Sequence, residues 1–514
     1  MGLLGEFCMR VISIRYLKTF FILVVLSGLI GCQRVASLFE ELRRDTETDS
    51  SIQGDADFIE DQLLTIDRSQ PPLNESNVTP SVDEIPTRKG KLYSIAGIEM
   101  YNIRPSGGLE QVINTETYWI RRNGLMWSEV EPEQGTKKWE VLKGLEDELV
   151  NAARKSVEVI LVVRSTPNWA QEESGVFCGQ VAPESLTAFA DFMHEAVARY
   201  SIPPFNVKYW ELGNEPDIDP DLVPPDSPFG CWGDKGDPYY GGDYYAEMLK
   251  LVYPKIKEAD PESQVLIGGL LMVCDPNNPP ETSPGSGEKK DCTATRFLQG
   301  IVKNGGGDYF DEISFHAYDY YLDPFEYGNL NWANSWDSTG PMLVKKTQFI
   351  RNILADYGYS DKFLMNTEGS LLCGKDGKEP ECQSESFYLT KAYYVAKSNA
   401  SAIAEGLRAN IWFSLTGWRG LGLINRELQP NPAYDAYRFS AEKLKKVTFE
   451  SELDHFPGVK GYEFSKGETR IWFIWSLNSD EHVIQLTNIP NPYEPEPNRC
   501  LFTKFLLFVQ EFNC

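Results

Sequence analysis

"VKYWELGNEPD", residues 207–217, begins as one kind of structure and ends as another. Val207 to Leu212 suits a buried β-strand, and Gly213 then breaks the run into Asn214, Glu215 and Pro216. An amide and a carboxylate side by side, backed by a proline, are unusual at the end of an apolar strand. A second run ends in the same way: "KFLMNTEG", 362–369, delivers Glu368 and stops at Gly369. Six more runs have this character: "YSIAGIEMY" (93–101), "YWIRRNGLMW" (118–127), "VEVILVVRS" (157–165), "QVLIGGLL" (264–271), "DEISFHAY" (311–318) and "NIWFSLTG" (410–417). Amphipathic helical stretches follow most of them, among them "WEVLKGLEDELVNAARK", "PESLTAFADFMHEAVARY" and "DYYAEMLKLVYPKIKEA". Strand and helix in alternation imply a parallel sheet with right-handed crossovers. Eight repeats over roughly 350 residues fit an α/β fold, the (β/α)8 TIM barrel, enlarged by loops. The rival, an open doubly wound sheet, calls for a phosphate-binding glycine turn after its first strand. "AGIEMYNIRPSGG" (96–108) matches that turn poorly.

The flanks differ from this central region. Arg10, Arg15 and Lys18 precede an apolar run, "TFFILVVLSGLIGC", that ends at Cys32. That pattern reads as an export signal over residues 1–32. Leu29-Ile30-Gly31-Cys32 resembles a bacterial lipobox, with Cys32 the lipidation site, and an uncleaved signal anchor is the other reading. Either places the remainder outside the cytoplasmic membrane. Residues 33–90, acidic and then rich in Pro, Ser and Asn, read as a disordered tether. The barrel is expected over 91–445. Short strands and turns over 446–514 predict a small C-terminal β-domain.

A net charge of −26 argues against nucleic acid as a partner. Aromatic residues make up 12% of the chain, more than a core alone needs, and exposed ring faces suit sugars. Cys8 lies in the signal and Cys32 is the lipid site, which leaves eight cysteines. An even set in an exported chain predicts disulfides, and pairing sequence neighbours gives 178–231, 274–292, 373–382 and 500–514. No CxxC spacing occurs and histidines number four, so neither a metal nor another cofactor is expected.

The working groups of such a barrel sit at the C-terminal ends of its strands. Glu215 and Glu368 then come from the fourth and seventh strands, on opposite sides of one mouth. The sixth contributes His316 and Tyr318, and the eighth Trp412, with Trp418 a competitor. Two carboxylates facing across a sugar are what glycoside hydrolysis requires: one protonated to release the leaving oxygen, one ionised to attack the anomeric carbon. Glu129, Glu131 and Glu133 form another acidic cluster, read as a structural loop beside Pro132. Trp169 either lines the cleft or plugs the barrel rim.

"GNEPD" (213–217), "NTEG" (366–369), "FHAY" (315–318), the tryptophan of "IWFSLTGW", "WSEVEPEQGTKKWE" (127–140) and "TPNWA" (166–170) together resemble glycoside hydrolase clan A. These are retaining (β/α)8-barrel glycosidases, and the nearest resemblance is to the family 39, β-xylosidase-like members. It covers roughly residues 95–445. The resemblance implies Glu215 as general acid/base and Glu368 as nucleophile. It further implies that Asn214 binds the sugar 2-hydroxyl, Tyr318 bonds the nucleophile, and His316 is a neighbouring sugar ligand. Arg121 (or Arg122) would lie beneath the nucleophile, Trp412 would form the sugar floor, and no metal would take part. The expected activity is exported, double-displacement hydrolysis of a β-linked glycoside. An inactive carbohydrate-binding lipoprotein and a transglycosylase are the alternatives. Aromatics in the loops (Trp232, Tyr239, Tyr240, Tyr320, Tyr321, Trp332 and Trp336) are expected to serve as stacking platforms.

Overall fold

Every predicted strand forms, and neighbours pair in parallel all the way round. The strands are β1 (Ala96–Glu99), β2 (Trp119–Met126), β3 (Glu158–Arg164), β4 (Tyr209–Asn214), β5 (Gln264–Leu270), β6 (Glu312–Asp323), β7 (Phe363–Leu372) and β8 (Ala409–Trp412). β1 pairs with β2 on one side and with β8 on the other, so the sheet closes. The computed structural model describes residues 94–227, 230–281, 287, 292–324, 326–328, 336 and 340–477, with the backbone of three later strands. The signal and lipobox at 1–32, Cys32 and the tether at 33–90 lie outside the described residues.

Each strand is followed by a helix: α1 (Leu109–Ile113), α2 (Lys143–Arg154), α3 (Leu186–Tyr200), α4 (Gly242–Ala259), α5 (Phe297–Lys303), α6 (Leu343–Asp356), α7 (Glu385–Ala404) and α8 (Pro432–Lys443). α3 shows why they pack. Leu186, Phe189, Ala190, Met193, Ala196, Val197 and Tyr200 recur at steps of three and four and are buried against the sheet. The strands, covered on both faces, are near-continuous apolar runs, as in "EVILVVR" of β3.

Inside the barrel Trp119, Ile160, Tyr209, Leu266, Met365, Ala409 and Ile411 form a packed layer. Trp119 meets Tyr209 edge to face at 4.7 Å. Room for these rings depends on Gly97, where a Cβ would lie 2.1 Å from Ile411 Cδ1. Below the layer, at the N-terminal end, Arg408 donates to Glu312 Oε1 at 2.7 Å and to the Tyr209 hydroxyl at 3.1 Å.

Three of the expected disulfides form: Cys178–Cys231, Cys274–Cys292 and Cys373–Cys382. All lie in loops beyond the C-terminal ends of strands. The Cys500–Cys514 pairing falls outside the described side chains.

After α8 the chain builds an antiparallel sheet from β9 (Thr448–Leu453), β10 (Val459–Lys466), β11 (Thr469–Ser476) and, later in the chain, β14 (Phe508–Asn513). β12 (His482–Gln485) and β13 (Arg499–Phe502) form a separate pair. Tyr462, Phe464, Ile471, Phe473 and Trp475 pack with Ala400 of α7 and with Leu444. The fold is thus a (β/α)8 barrel with a small C-terminal β-sheet.

Candidate active site

At the C-terminal mouth the strand ends bring acids together around one guanidinium. Arg121 of β2 is fully buried. Its Nη1 donates to Glu99 Oε2 at 2.6 Å and to Glu368 Oε1; its Nη2 donates to Glu211 Oε1 at 2.5 Å and Asn214 Oδ1 at 2.6 Å; its Nε reaches Glu211 at 3.2 Å. The contact residues come from β1, β4 and β7, so one side chain locks three strand ends to β2. Arg122, the alternative, points outward to Glu148 of α2 at 2.7 Å. Arg121 therefore takes the place beneath Glu368.

β4 ends as its sequence suggests. Gly213 has φ 89° and Glu215 has φ 52°, both in the left-handed region. A glutamate enters that region only at a cost of about 1–3 kcal/mol, which the surroundings must offset. The bend is held by the Glu215 N–H, which donates to Gly269 O at 3.0 Å. It carries the Glu215 carboxyl to His316 of β6, where Oε1 lies 2.7 Å from Nδ1. His316 Nδ1 is also 3.5 Å from Glu368 Oε2, on which the Tyr318 hydroxyl donates. The His316 ring fits because β5 has a glycine there: a Cβ on Gly269 would lie 2.1 Å from Nε2.

Glu215, His316 and Glu368 each present one atom within 4.8 Å of the others. The two expected carboxylates thus meet across a common centre. A cation could bridge atoms so spaced, but the centre already has positive charge from Arg121 and from Lys346 of α6. Water is largely excluded, with Glu215 2% and Glu368 4% exposed.

The two carboxyls are not equivalent. Burial pushes both upward. For Glu368 the next influence is Arg121, which lowers its pKa, and the Tyr318 hydrogen bond acts in the same direction. For Glu215 the next influence is the negative charge of Glu368, which raises it further, well above the usual carboxylate range. Glu368 is raised to about 8 and Glu215 well above the usual carboxylate range, so the first proton leaves Glu368 and a single proton on the pair resides on Glu215. Burial, reinforced by Arg121 and Lys346, holds His316 well below its ordinary value, so its imidazole is neutral. Burial and the charge of Glu368 keep the Tyr318 phenol protonated.

Trp412 requires correction. It stands on the outer, helix-facing side of β8, 6.1 Å from Tyr394 of α7, with Nε1 donating to Leu421 O at 3.0 Å. The inward position belongs to the next residue: Phe413 lies edge-on to Tyr318 at 6.0 Å and to Tyr101 at 6.4 Å. Trp418, the competitor, packs beside this cluster. Trp169 sits on the rim, 5.3 Å from Trp127, with Nε1 donating to Glu131 O at 2.9 Å. Most of the expected stacking platforms are interior: Trp232, Tyr240, Tyr320 and Trp336 are 8%, 7%, 6% and 2% exposed. Tyr239 pairs with Lys303, Tyr321 packs on Phe387, and Trp332 lies outside the described residues.

Sequence reading missed Glu99 and Glu211, the acids that fix Arg121. Their signal was present, since each is a charge inside an otherwise apolar run, "AGIEM" and "YWEL". A recess of about 160 Å³ opens beside Glu99, lined by Tyr101, Asn102, Ser106, Thr416 and Arg426 among others.

No family model matches the chain, and no curated protein matches it in sequence. Its fold is matched in solved structures. A family 39 glycoside hydrolase from Bacteroides cellulosilyticus superposes with a TM-score of 0.58 at 17% identity, over 82% of this chain and 81% of that one. The fold is that of the clan A glycosidases. A glycoside hydrolase family 30 xylanase from Clostridium acetobutylicum gives a TM-score of 0.50 at 13% identity, over 77% of this chain and 85% of that one. An α-L-arabinofuranosidase from Thermotoga maritima gives 0.50 at 12% identity, over 82% and 94%.

Proposed function

We propose that this protein is a retaining glycoside hydrolase acting on a β-linked sugar. One observation carries the reading: Glu215 and Glu368 approach within 4.8 Å, and only Glu368 has a guanidinium in contact. Carboxyls about 5–5.5 Å apart leave no room for water between attacker and sugar, which is the retaining arrangement. In the first step Glu368 attacks the anomeric carbon, and the developing charge on the leaving oxygen takes the proton of Glu215. In the second, Glu215, now ionised, removes a proton from water as that water displaces Glu368.

The neighbours support this division of labour. Tyr318 and Arg121 hold the Glu368 oxygens without neutralising them. Neutral His316 fixes the Glu215 carboxyl without adding charge. Asn214, on the guanidinium, stands where a sugar 2-hydroxyl would be met. The polar recess beside Glu99 suits the hydroxyls of the glycone. Phe413 takes the place under the sugar that was assigned to Trp412. We further propose that the enzyme works outside the cytoplasmic membrane, anchored through Cys32 or secreted. The three disulfides support that placement, because such bonds persist in oxidising compartments.

The test is chemical rescue. Glu215→Ala, given an aryl β-glycoside with a good leaving group and azide, releases the β-glycosyl azide, identified by NMR. An α-azide, or no change in activity on removing Glu215, contradicts the assignment.

A further inference from the structure

Helix α6 carries a lysine where a helix packed on a barrel calls for an apolar side chain. Lys346 is 3% exposed. Its ammonium passes between two strand ends and donates to Leu271 O at 2.6 Å and His316 O at 2.7 Å. Both acceptors are neutral carbonyls, and the negative charges that favour the buried ammonium are those of Asp217, then Glu215 and Asp319. Its surroundings suggest another use. Asp217, two residues after Glu215, accepts from the N–H groups of Leu271 and Met272 at 2.8 and 2.7 Å. Asp319, three residues after His316, accepts from Met342 N and from the Tyr394 hydroxyl, each at 2.8 Å. Lys346 therefore stands among the segments that hold Glu215 and His316.

We propose that Lys346 is a positioning residue for Glu215: it fixes the β6 end that carries His316 and supplies the positive charge that lets Glu215 release its proton and serve as base. This rests on the acid/base reading above. The groups facing Glu215 are Arg121 from β2, Asp217 from the β4 loop, His316, Tyr318 and Tyr320 from β6, Glu368 from β7 and Lys346 from α6. Glu368 and Asp217 raise the proton affinity of Glu215, while Arg121 and Lys346 lower it. Arg121, which also meets Glu99, Glu211, Asn214 and Glu368, is the larger counterweight, and Lys346 adds a second one through the segment that carries His316. Burial lowers the Lys346 ammonium to about 8, which leaves it charged at neutral pH.

The experiment compares pH profiles of the full-length enzyme and its Lys346→Met variant, using glycosides of the sugar that wild type cleaves fastest in an aryl panel. With an alkyl glycoside, whose departure needs a proton, the alkaline limb of kcat/KM moves up by about one pH unit in the variant. With a dinitrophenyl glycoside the base step limits turnover, so kcat falls about tenfold while kcat/KM stays within about twofold. Lys346→Arg restores both. Asp217→Asn, which removes an opposing charge, moves the limb downward. Should Lys346→Met fail to fold, Lys346→Gln, which keeps a donor for the two carbonyls and loses the charge, gives the same readout. An unmoved limb when the Lys346 charge is removed, or kcat and kcat/KM falling together, overturns the proposal and leaves Lys346 a strut. If Glu215→Gln leaves the wild-type profile intact, the acid/base assignment itself has failed.

Discussion

The two ends of the barrel each set an arginine against buried glutamate, half-buried Arg408 at one and fully buried Arg121 at the other, and they differ in arithmetic. At the N-terminal end Arg408 meets one carboxylate, Glu312, and one phenol, Tyr209. At the C-terminal end Arg121 meets three carboxylates, Glu99, Glu211 and Glu368, with Glu215 beyond them. The lower set is close to neutral and joins strand ends. The upper set has more acid than base in a space closed to water, which no stability argument favours. Such a surplus is kept where protons and charges must move, and barrels of this type place their chemistry at that end.

Glu368→Ala probes the surplus most directly. It lowers kcat by about 10⁴-fold or more on an aryl glycoside, while the melting temperature holds or rises because one crowded charge is gone. A variant that lost stability and kept its turnover would erase the contrast. Arg408→Met should do the reverse. Leaving Glu312 buried without its partner costs about 3 kcal/mol in a denaturant melt, and kcat/KM changes by less than about twofold. A tenfold loss of activity there would mean that the two ends are coupled.

The smallest effect is a pH dependence. Burial raises the Glu312 carboxyl from 4.5 to about 7 despite Arg408. A group whose folded pKa lies above its unfolded value stabilises fully below the unfolded pKa, and that contribution is lost as pH rises through the folded one. Wild type should therefore lose stability between about pH 4.5 and 7 from this residue. Glu312→Gln flattens that part of the profile of melting temperature against pH; an unchanged slope would assign the loss to other groups.

Much of this was legible in the chain. The strands and their order follow from apolar runs alternating with helical periods, and both glutamates follow from abrupt strand endings. Pairing neighbouring cysteines succeeded for 178–231, 274–292 and 373–382 because each of these pairs spans one or two adjacent loops of the same rim. What failed was facing. Two adjacent aromatic residues stand at the end of β8, and a one-residue error in facing exchanges Trp412 for Phe413. Exposure of loop aromatics failed for a related reason: a ring near the mouth in sequence folds back into the layer beneath it. Lys346 could not be read at all, because its partners are backbone oxygens of segments remote in sequence.

A guanidinium has five N–H bonds, and in Arg121 the contacts use the whole complement: Nε to Glu211, Nη1 to Glu99 and Glu368, Nη2 to Glu211 and Asn214. A lysine at this position would keep the charge but offers three donors from a single point. It would have to give up at least two of these five bonds. The stoichiometry of one planar group thus dictates how many strands can be registered at the mouth, and it leaves no cheap substitute.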